Sequence, residues 1–183
     1  MTSTYKKNLI EKVTNVSSWP SFKNGPFLDE LNRIAEIAYN KKTVEGYLAA
    51  VLIYHQLCVE LIRILIECSE FIIQIAIFPS EINFKHKKIR MLGQLIEDAE
   101  NTISFKNKKK FINNYVELNK IRIEIVHKLT LKTSLSDIKI RSKKMKVVFD
   151  NIFILFEEIY DDFHLRISDY SDNINLEEFK SNE

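Results

Sequence analysis

Apolar residues recur every three or four positions over most of this chain, which is the spacing of an amphipathic α-helix. This period predicts up to six helices, over about 5–16, from Asp29 onward, and over about 44–78, 85–104, 109–130 and 136–167. Turn-forming residues surround the first of them, in Ser17–Pro20 and Asn24–Pro26. Residue propensity alone also permits strands within 147–156, but the sustained helical period there favours a helix.

The helix predicted over 44–78 determines the architecture. Its polar residues fall on one narrow stripe, made of Glu45, Gln56, Glu60, Arg63, Glu67, Glu70 and Gln74. The remaining arc of about 240° is almost entirely apolar and must be covered by neighbours. The helix is therefore either the centre of a bundle or half of a dimer interface. An antiparallel bundle of four to six helices with short connections is the simplest architecture.

Composition also favours an all-α fold. Three glycines and three prolines in 183 residues are too few for the turns of a β-sandwich or barrel. The content of 45% hydrophobic and 28% charged residues is typical of a globular domain. We divide the chain into an N-terminal helical segment (1–42), a bundle core (43–167) and an acidic C-terminal tail (168–183).

Three observations favour a cytoplasmic protein that does not enter a membrane. Charged residues interrupt the apolar stretch of 47–78, so no charge-free run reaches the roughly 18 residues of a membrane span. No basic segment followed by an apolar run opens the chain, so we expect no secretory signal. Cys58 and Cys68 lie about 15 Å apart along one helix, too far to bond to each other. We expect them to be buried thiols in a reducing compartment.

Charge is distributed unevenly although the net charge is only +2. Residues 85–146 contain 17 Lys/Arg and 6 Asp/Glu, a net of +11, whereas residues 147–183 contain 2 and 10, a net of −8. The basic middle is a candidate surface for a polyanion. The alternative is that the lysines only keep a helical protein soluble.

One charged residue lies where the helix predicted over 109–130 should be apolar. On a helical wheel, Arg122 and Asn119 share a stripe with apolar side chains, namely Phe111, Ile112, Tyr115, Val116, Ile123, Val126 and Leu129. His127 falls at the edge of this stripe. An arginine there needs a buried carboxylate, a route for its stem to solvent, or an anionic ligand in a cleft.

The sequence around this residue, LNKIRIEIVHKL from Leu118 to Leu129, resembles the Arg-x4-6-His signature of the HEPN superfamily through Arg122 and His127. The surroundings are similar as well. A long apolar helix with an internal glutamate, Glu60, precedes a connecting helix and then the motif helix. The resemblance covers about 40–165 and implies a HEPN-like helical bundle.

The resemblance implies a metal-independent endoribonuclease that needs no cofactor and acts in a toxin–antitoxin or phage-defence system. His127 would be the general base on a ribose 2′-hydroxyl or the acid on the leaving oxygen, and Arg122 would clamp the scissile phosphate. We expect Asn119, Lys120 and Lys128 to contact the RNA. An antitoxin or another defence-system protein is an expected partner.

A regular α-helix would separate Arg122 and His127 by about 7.5 Å along its axis and about 140° around it. The two side chains could not both reach one atom, apart from what the long arginine can bridge. Two copies related by a two-fold axis could line a shared cleft with both pairs, which predicts a homodimer.

The other candidate residues are weaker. His55 lies on the apolar side of its helix and is expected to be a core histidine, His86 belongs to a basic run, and His164 stands alone. No histidines and carboxylates show the spacing of a zinc helix. Glu60, Arg63 and Glu67 most simply form an exposed ion-pair ladder.

Two further functions stay open. Ile123 stands where the HEPN superfamily commonly has a polar residue, and this motivates a non-catalytic HEPN-like module that binds RNA or a partner protein. The acidic tail alone motivates an antitoxin or immunity-type protein that covers a basic partner.

Overall fold

The computed structural model describes residues 4–85, 90–127, 129 and 134–173, without the side chains of His127 and Asn173. These residues form six α-helices and no β-strand, which confirms the all-α prediction for the described part of the chain. The helices are α1 (Thr4–Thr14), α2 (Gly25–Asn40), α3 (Val44–Ala76), α4 (Leu92–Glu100), α5 (Lys108–Arg122) and α6 (Leu135–Asn173). A short 3-10 turn, Val16–Ser18, follows α1.

The N-terminal ends of α2 and α3 show how local sequence starts each helix. The side chain of Thr43 accepts a hydrogen bond from the backbone N–H of Gly46, which caps α3 where the sequence predicted its start. Helix α2 begins at Gly25, so the prediction of a start at Asp29 is wrong. Pro26 lies in the first turn, where its missing N–H costs no hydrogen bond.

Helix α4 is shorter than the 85–104 predicted for it. Its end is fixed by Thr102, whose hydroxyl donates to the Ala99 carbonyl. The backbone N–H of Ile103 then donates to the Ser69 hydroxyl at 3.1 Å, which holds the chain against α3. Residues 86–89, which include His86, lie outside the described residues.

Helix α6 extends from Leu135 to Asn173, beyond the predicted end at 167. It covers 147–156, so the alternative of short strands there is wrong. Met145, Ile152 and Phe163 are buried along its inner side, in agreement with the helical period.

Helix α3 lies at the centre of the bundle and packs against α2, α4, α5 and α6. It is long and apolar enough to cross a membrane, but 61% of its most apolar window is buried by the rest of the protein, as in a core helix. Tyr54 of α3 stacks on Phe149 of α6, and further along, Cys68 and Tyr160 both contact the carbonyl of Pro20. Helices α3 and α6 therefore run in the same direction.

Helices α2 and α3 form a tight antiparallel hairpin. A Cβ atom on Gly46 would lie 2.3 Å from the carbonyl oxygen of Ala38, so only glycine allows this approach. Further along, the Tyr54 hydroxyl donates to a carboxylate oxygen of Glu36 at 2.8 Å. Lys146 of α6 bonds the same carboxylate at 3.1 Å and joins all three helices.

Helix α5 runs antiparallel to both α3 and α6. An ion pair between Glu117 and Lys144 joins it to α6, and a second, between Glu124 and Arg141, joins the turn after α5 to α6. On its other side, the buried Tyr115 hydroxyl donates to the carbonyl oxygen of Cys58 in α3 at 3.1 Å. These contacts fix the rotation of α5 and therefore the position of its last residue, Arg122.

Candidate functional site

Arg122 is the last residue of α5 and is half-buried. The buried residues of α5 and the turn after it are Phe111, Ile112, Tyr115, Leu118, Ile121 and Ile125. On the helical wheel Arg122 lies near the middle of this set. Its Nε atom is shielded from solvent. The sequence-based placement of Arg122 on the inner side of the helix is therefore confirmed.

The apolar stripe predicted for α5 is in part wrong. Val116 is 51% exposed and Ile123 is 37% exposed, although both were assigned to it. Leu118 and Ile121 were left out of the predicted stripe, but both are buried. The reason is that α6 and α3 cover the side of α5 that carries Leu118 and Tyr115 and leave the side of Val116 open.

The backbone changes directly after Arg122. Residues Ile123–His127 form a π-helical turn, in which hydrogen bonds join residues five apart. Positions five apart therefore lie on about the same side of the helix, and backbone position 127 comes closer to the side of position 122 than it would in an α-helix. The angle of about 140° assumed a regular α-helix and does not apply here.

Of the residues expected to contact RNA, Asn119 is half-buried and Lys120 is exposed. Lys128 lies outside the described residues, as does the side chain of His127. The structure thus places Arg122, Asn119 and Lys120 within one turn of α5 and places the backbone of His127 at the end of the π turn.

His55 is a further member of the site that the sequence did not single out. It is buried at 8% exposure, as expected for a core histidine, but it also lies close enough to Arg122 to interact with its charge. Burial and, second, the positive guanidinium lower the pKa of His55 to about 4. Near pH 7 its imidazole is therefore neutral, and His55 adds no positive charge beside Arg122.

The sequence holds only a weak signal for this neighbour. His55 precedes Cys58 by one helical turn, and Cys58 is the residue whose carbonyl accepts from Tyr115 of α5. The side of α3 that carries His55 faces α5 only because of the relative rotation of the two helices. The apolar pattern of α3 and that of α5 do not determine this rotation.

Charge around the site is more balanced than the net of +11 for residues 85–146 indicates. Glu117, Glu124 and Asp98 each pair with a basic residue of the same segment. Lys146 turns inward to Glu36 and Asp150. The lysines that stay exposed on α5 and the first half of α6 include Lys109, Lys110, Lys120, Lys139 and Lys143.

The remaining candidate residues have structural surroundings. The Arg63 guanidinium bonds Glu60, as the predicted ladder requires. The His164 ring contacts Trp19 and lies 3.2 Å from the carbonyl oxygen of Pro20. Cys58 and Cys68 are buried, and burial raises the pKa of both thiols, that of Cys68 to about 12. Within the described residues, no three His, Cys, Asp or Glu side chains converge to hold a metal ion.

No family model matches this chain, and no significant similarity to a curated protein or to a solved structure is found. Its function is therefore inferred from the residues of the site and their geometry.

Proposed function

We propose that this chain is a metal-independent endoribonuclease of the HEPN type, with Arg122 as phosphate clamp and His127 as general acid or base. The observation that carries the proposal is the π turn Ile123–His127, which begins directly after the half-buried Arg122. It brings position 127 closer to the side of position 122, as a pair acting on one phosphate requires. Single π turns within helices occur frequently at functional sites.

The chemistry follows from the two residue types. His127, acting as the base, removes the proton of a ribose 2′-hydroxyl, and the 2′-oxygen attacks the adjacent phosphorus. The bond from phosphorus to the 5′-oxygen breaks, and that oxygen takes up a proton from water. Arg122 donates hydrogen bonds to the phosphate oxygens as their charge grows. The products are a 2′,3′-cyclic phosphate and a 5′-hydroxyl.

His55 supports the role of Arg122 in this proposal. Because burial keeps its imidazole neutral, His55 adds no positive charge that would repel the guanidinium of Arg122. The exposed lysines of α5 and α6 would add contacts to the RNA backbone.

Exposed Val116 and Ile123 flank the site and would meet a second copy of the chain, so that the active form is a homodimer. We propose that the protein acts in the cytoplasm, in a toxin–antitoxin or phage-defence system.

The test is cleavage of fluorescent RNA in the presence of EDTA. We expect the wild-type protein to cleave and both His127→Ala and Arg122→Ala to lose at least about 100-fold in rate. Arg33→Ala is the matched control, because Arg33 is exposed on α2 and pairs with Glu30, away from α5. Cleavage that persists unchanged in both site variants, or that no RNA supports, contradicts the proposal.

A non-catalytic HEPN-like module that binds RNA is the second candidate. The observation that favours it is Ile123, a partly exposed apolar side chain directly after Arg122. Such a module would bind RNA with an affinity that falls as salt rises and would cleave none. Binding that Lys120→Ala weakens, without any cleaved product, would support this function over the first.

A further inference from the structure

A cavity of about 460 Å³ lies between α2 and α6, on the side of α3 away from α5. We call it the α2–α6 cavity. The rings of Phe153, Phe156 and Tyr160 from α6 form one wall, and Phe22 closes one end. Three of these rings contact one another, with centroids of Phe22, Phe156 and Tyr160 between 5.3 and 6.0 Å apart. A cavity of this size fits a small organic molecule.

The charged side chains that line this cavity are all acidic. Asp29 of α2 and Glu157 and Asp161 of α6 line it, and no Lys or Arg is among the described residues that do so. Glu157 and Asp161 are four residues apart on one helix, where like charges repel each other. The buried Oδ1 atom of Asn32, also in the lining, has no hydrogen-bond partner among the described residues.

A neighbouring cavity of about 470 Å³ provides a comparison within the same molecule. It shares Phe22 with the first, but its charges are balanced. Lys23 and Arg63 line it together with Glu60 and Glu67, and Arg63 pairs with Glu60. The α2–α6 cavity therefore differs from its neighbour by an excess of negative charge.

We propose that the α2–α6 cavity binds a small organic cation, an ammonium or guanidinium group carried on an apolar or aromatic body. The body would lie against the phenylalanine and tyrosine rings, whose faces also attract a cation. The charged group would meet Glu157 and Asp161 at the rim of the cavity. The proposal is independent of RNA cleavage, because no residue of the Arg122 site lines this cavity.

The test compares three probes of similar shape and different charge: 2-phenylethylamine, 2-phenylethanol and 3-phenylpropionate. Their binding to the full chain is followed by NMR through the methyl groups of leucine. We expect the amine to shift the signals of Leu28, Leu57 and Leu61 and to bind at least about five-fold more tightly than the alcohol. The carboxylate should not bind. Equal affinity for amine and alcohol, or shifts confined to other methyl groups, overturns the proposal.

Charge-neutral variants provide the second arm. The double variant Glu157→Gln, Asp161→Asn removes both charges of α6 at nearly constant shape. We expect its affinity for the amine to fall about ten-fold, because each exposed carboxylate should contribute about three-fold. Glu158→Gln is the matched control, because this neighbouring carboxylate does not line the cavity. An unchanged affinity in the double variant, or an equal loss in the control, overturns the proposal.

Discussion

At the scale of single residues, the clearest consequence of the fold is the charge state of His55. Its ring is buried in α3 next to Arg122 of α5, and both burial and the neighbouring charge oppose protonation. Burial is a property of the packing around His55. The charge of Arg122 can be removed by mutating that residue alone.

We predict that Arg122→Gln raises the pKa of His55 above its wild-type value of about 4 while leaving it below that of a free histidine. The reason is that burial, the larger cause, remains when the guanidinium is removed. The measurement is an NMR titration of the histidine Cε1–H signals. Arg63→Gln should leave the titration of His55 unchanged, because Arg63 pairs with Glu60. A pKa that Arg122→Gln does not move would contradict the proximity of the two residues.

The same burial predicts how stability depends on pH. The pKa of His55 is about 4 in the folded chain and about 6.5 in the unfolded chain, so only the unfolded state takes up the proton between these values. Its contribution to the free energy of unfolding is complete above pH 6.5 and is lost as the pH falls toward 4. Relative to His55→Gln, the wild-type protein should lose about 2 kcal/mol between pH 7 and pH 5. Urea denaturation at both pH values measures this, and parallel losses in the two proteins would contradict it.

At the scale of helices, Gly46 controls the spacing of α2 and α3. A methyl group there would meet the backbone carbonyl of Ala38, which cannot rotate away as a side chain does. The helical hairpin would have to open or shift along its length.

We predict that Gly46→Ala lowers the free energy of unfolding by about 1–3 kcal/mol, the usual effect of overpacking. Gly93→Ala, in α4, is the matched control, because no atom lies within 4 Å of a Cβ built there. It should stabilise the protein by about 0.4–1 kcal/mol through the reduced freedom of the unfolded chain. Chemical denaturation of both variants checks the prediction, and equal effects of the two substitutions would refute it.

The helices themselves could be predicted from the sequence, because apolar spacing and caps are local properties. The start of α3 after Thr43 is one example. The end of α4 could not be predicted, since it depends on Ser69 of α3 receiving the N–H of Ile103. The π turn after Arg122 is also outside local reasoning, because Ile121 and Ile125 are both buried and the packing around them sets the register.

For the candidate site, the sequence could single out Arg122 but not the residues that surround it. A charged residue in an apolar stripe identified Arg122 without any knowledge of the fold. The neighbour His55 lies 67 positions away in the chain, and only the rotation of α3 against α5 brings the two together. The spacing of apolar residues along a single helix does not predict how two helices are rotated against each other.

At the scale of the whole molecule, the open side of α5 predicts association. Val116 and Ile123 are seven residues apart and exposed on the helix that ends in the proposed site. Exposed apolar side chains grouped in this way are typical of an interface.

We predict that the protein sediments as a dimer and that the double variant Val116→Glu, Ile123→Glu sediments as a monomer. Two charges placed in an apolar contact would remain without counter-charges there. Ile154→Glu is the control, because Ile154 is also an exposed apolar residue but lies on α6. Analytical ultracentrifugation distinguishes the outcomes. A monomeric wild-type protein, or a double variant that stays dimeric, would refute this interface.

The π turn Ile123–His127 has a consequence for how such a chain tolerates insertions and deletions. In a regular α-helix, residues four apart share a side, whereas in the π turn residues five apart do. Loss of one residue between Arg122 and His127 would let the helix relax to the α form and would keep the two ends on one side. A sequence signature with a fixed number of residues between the arginine and the histidine would miss a chain with such a deletion. A signature that allows this number to vary by one would include both chains, which share one spatial arrangement.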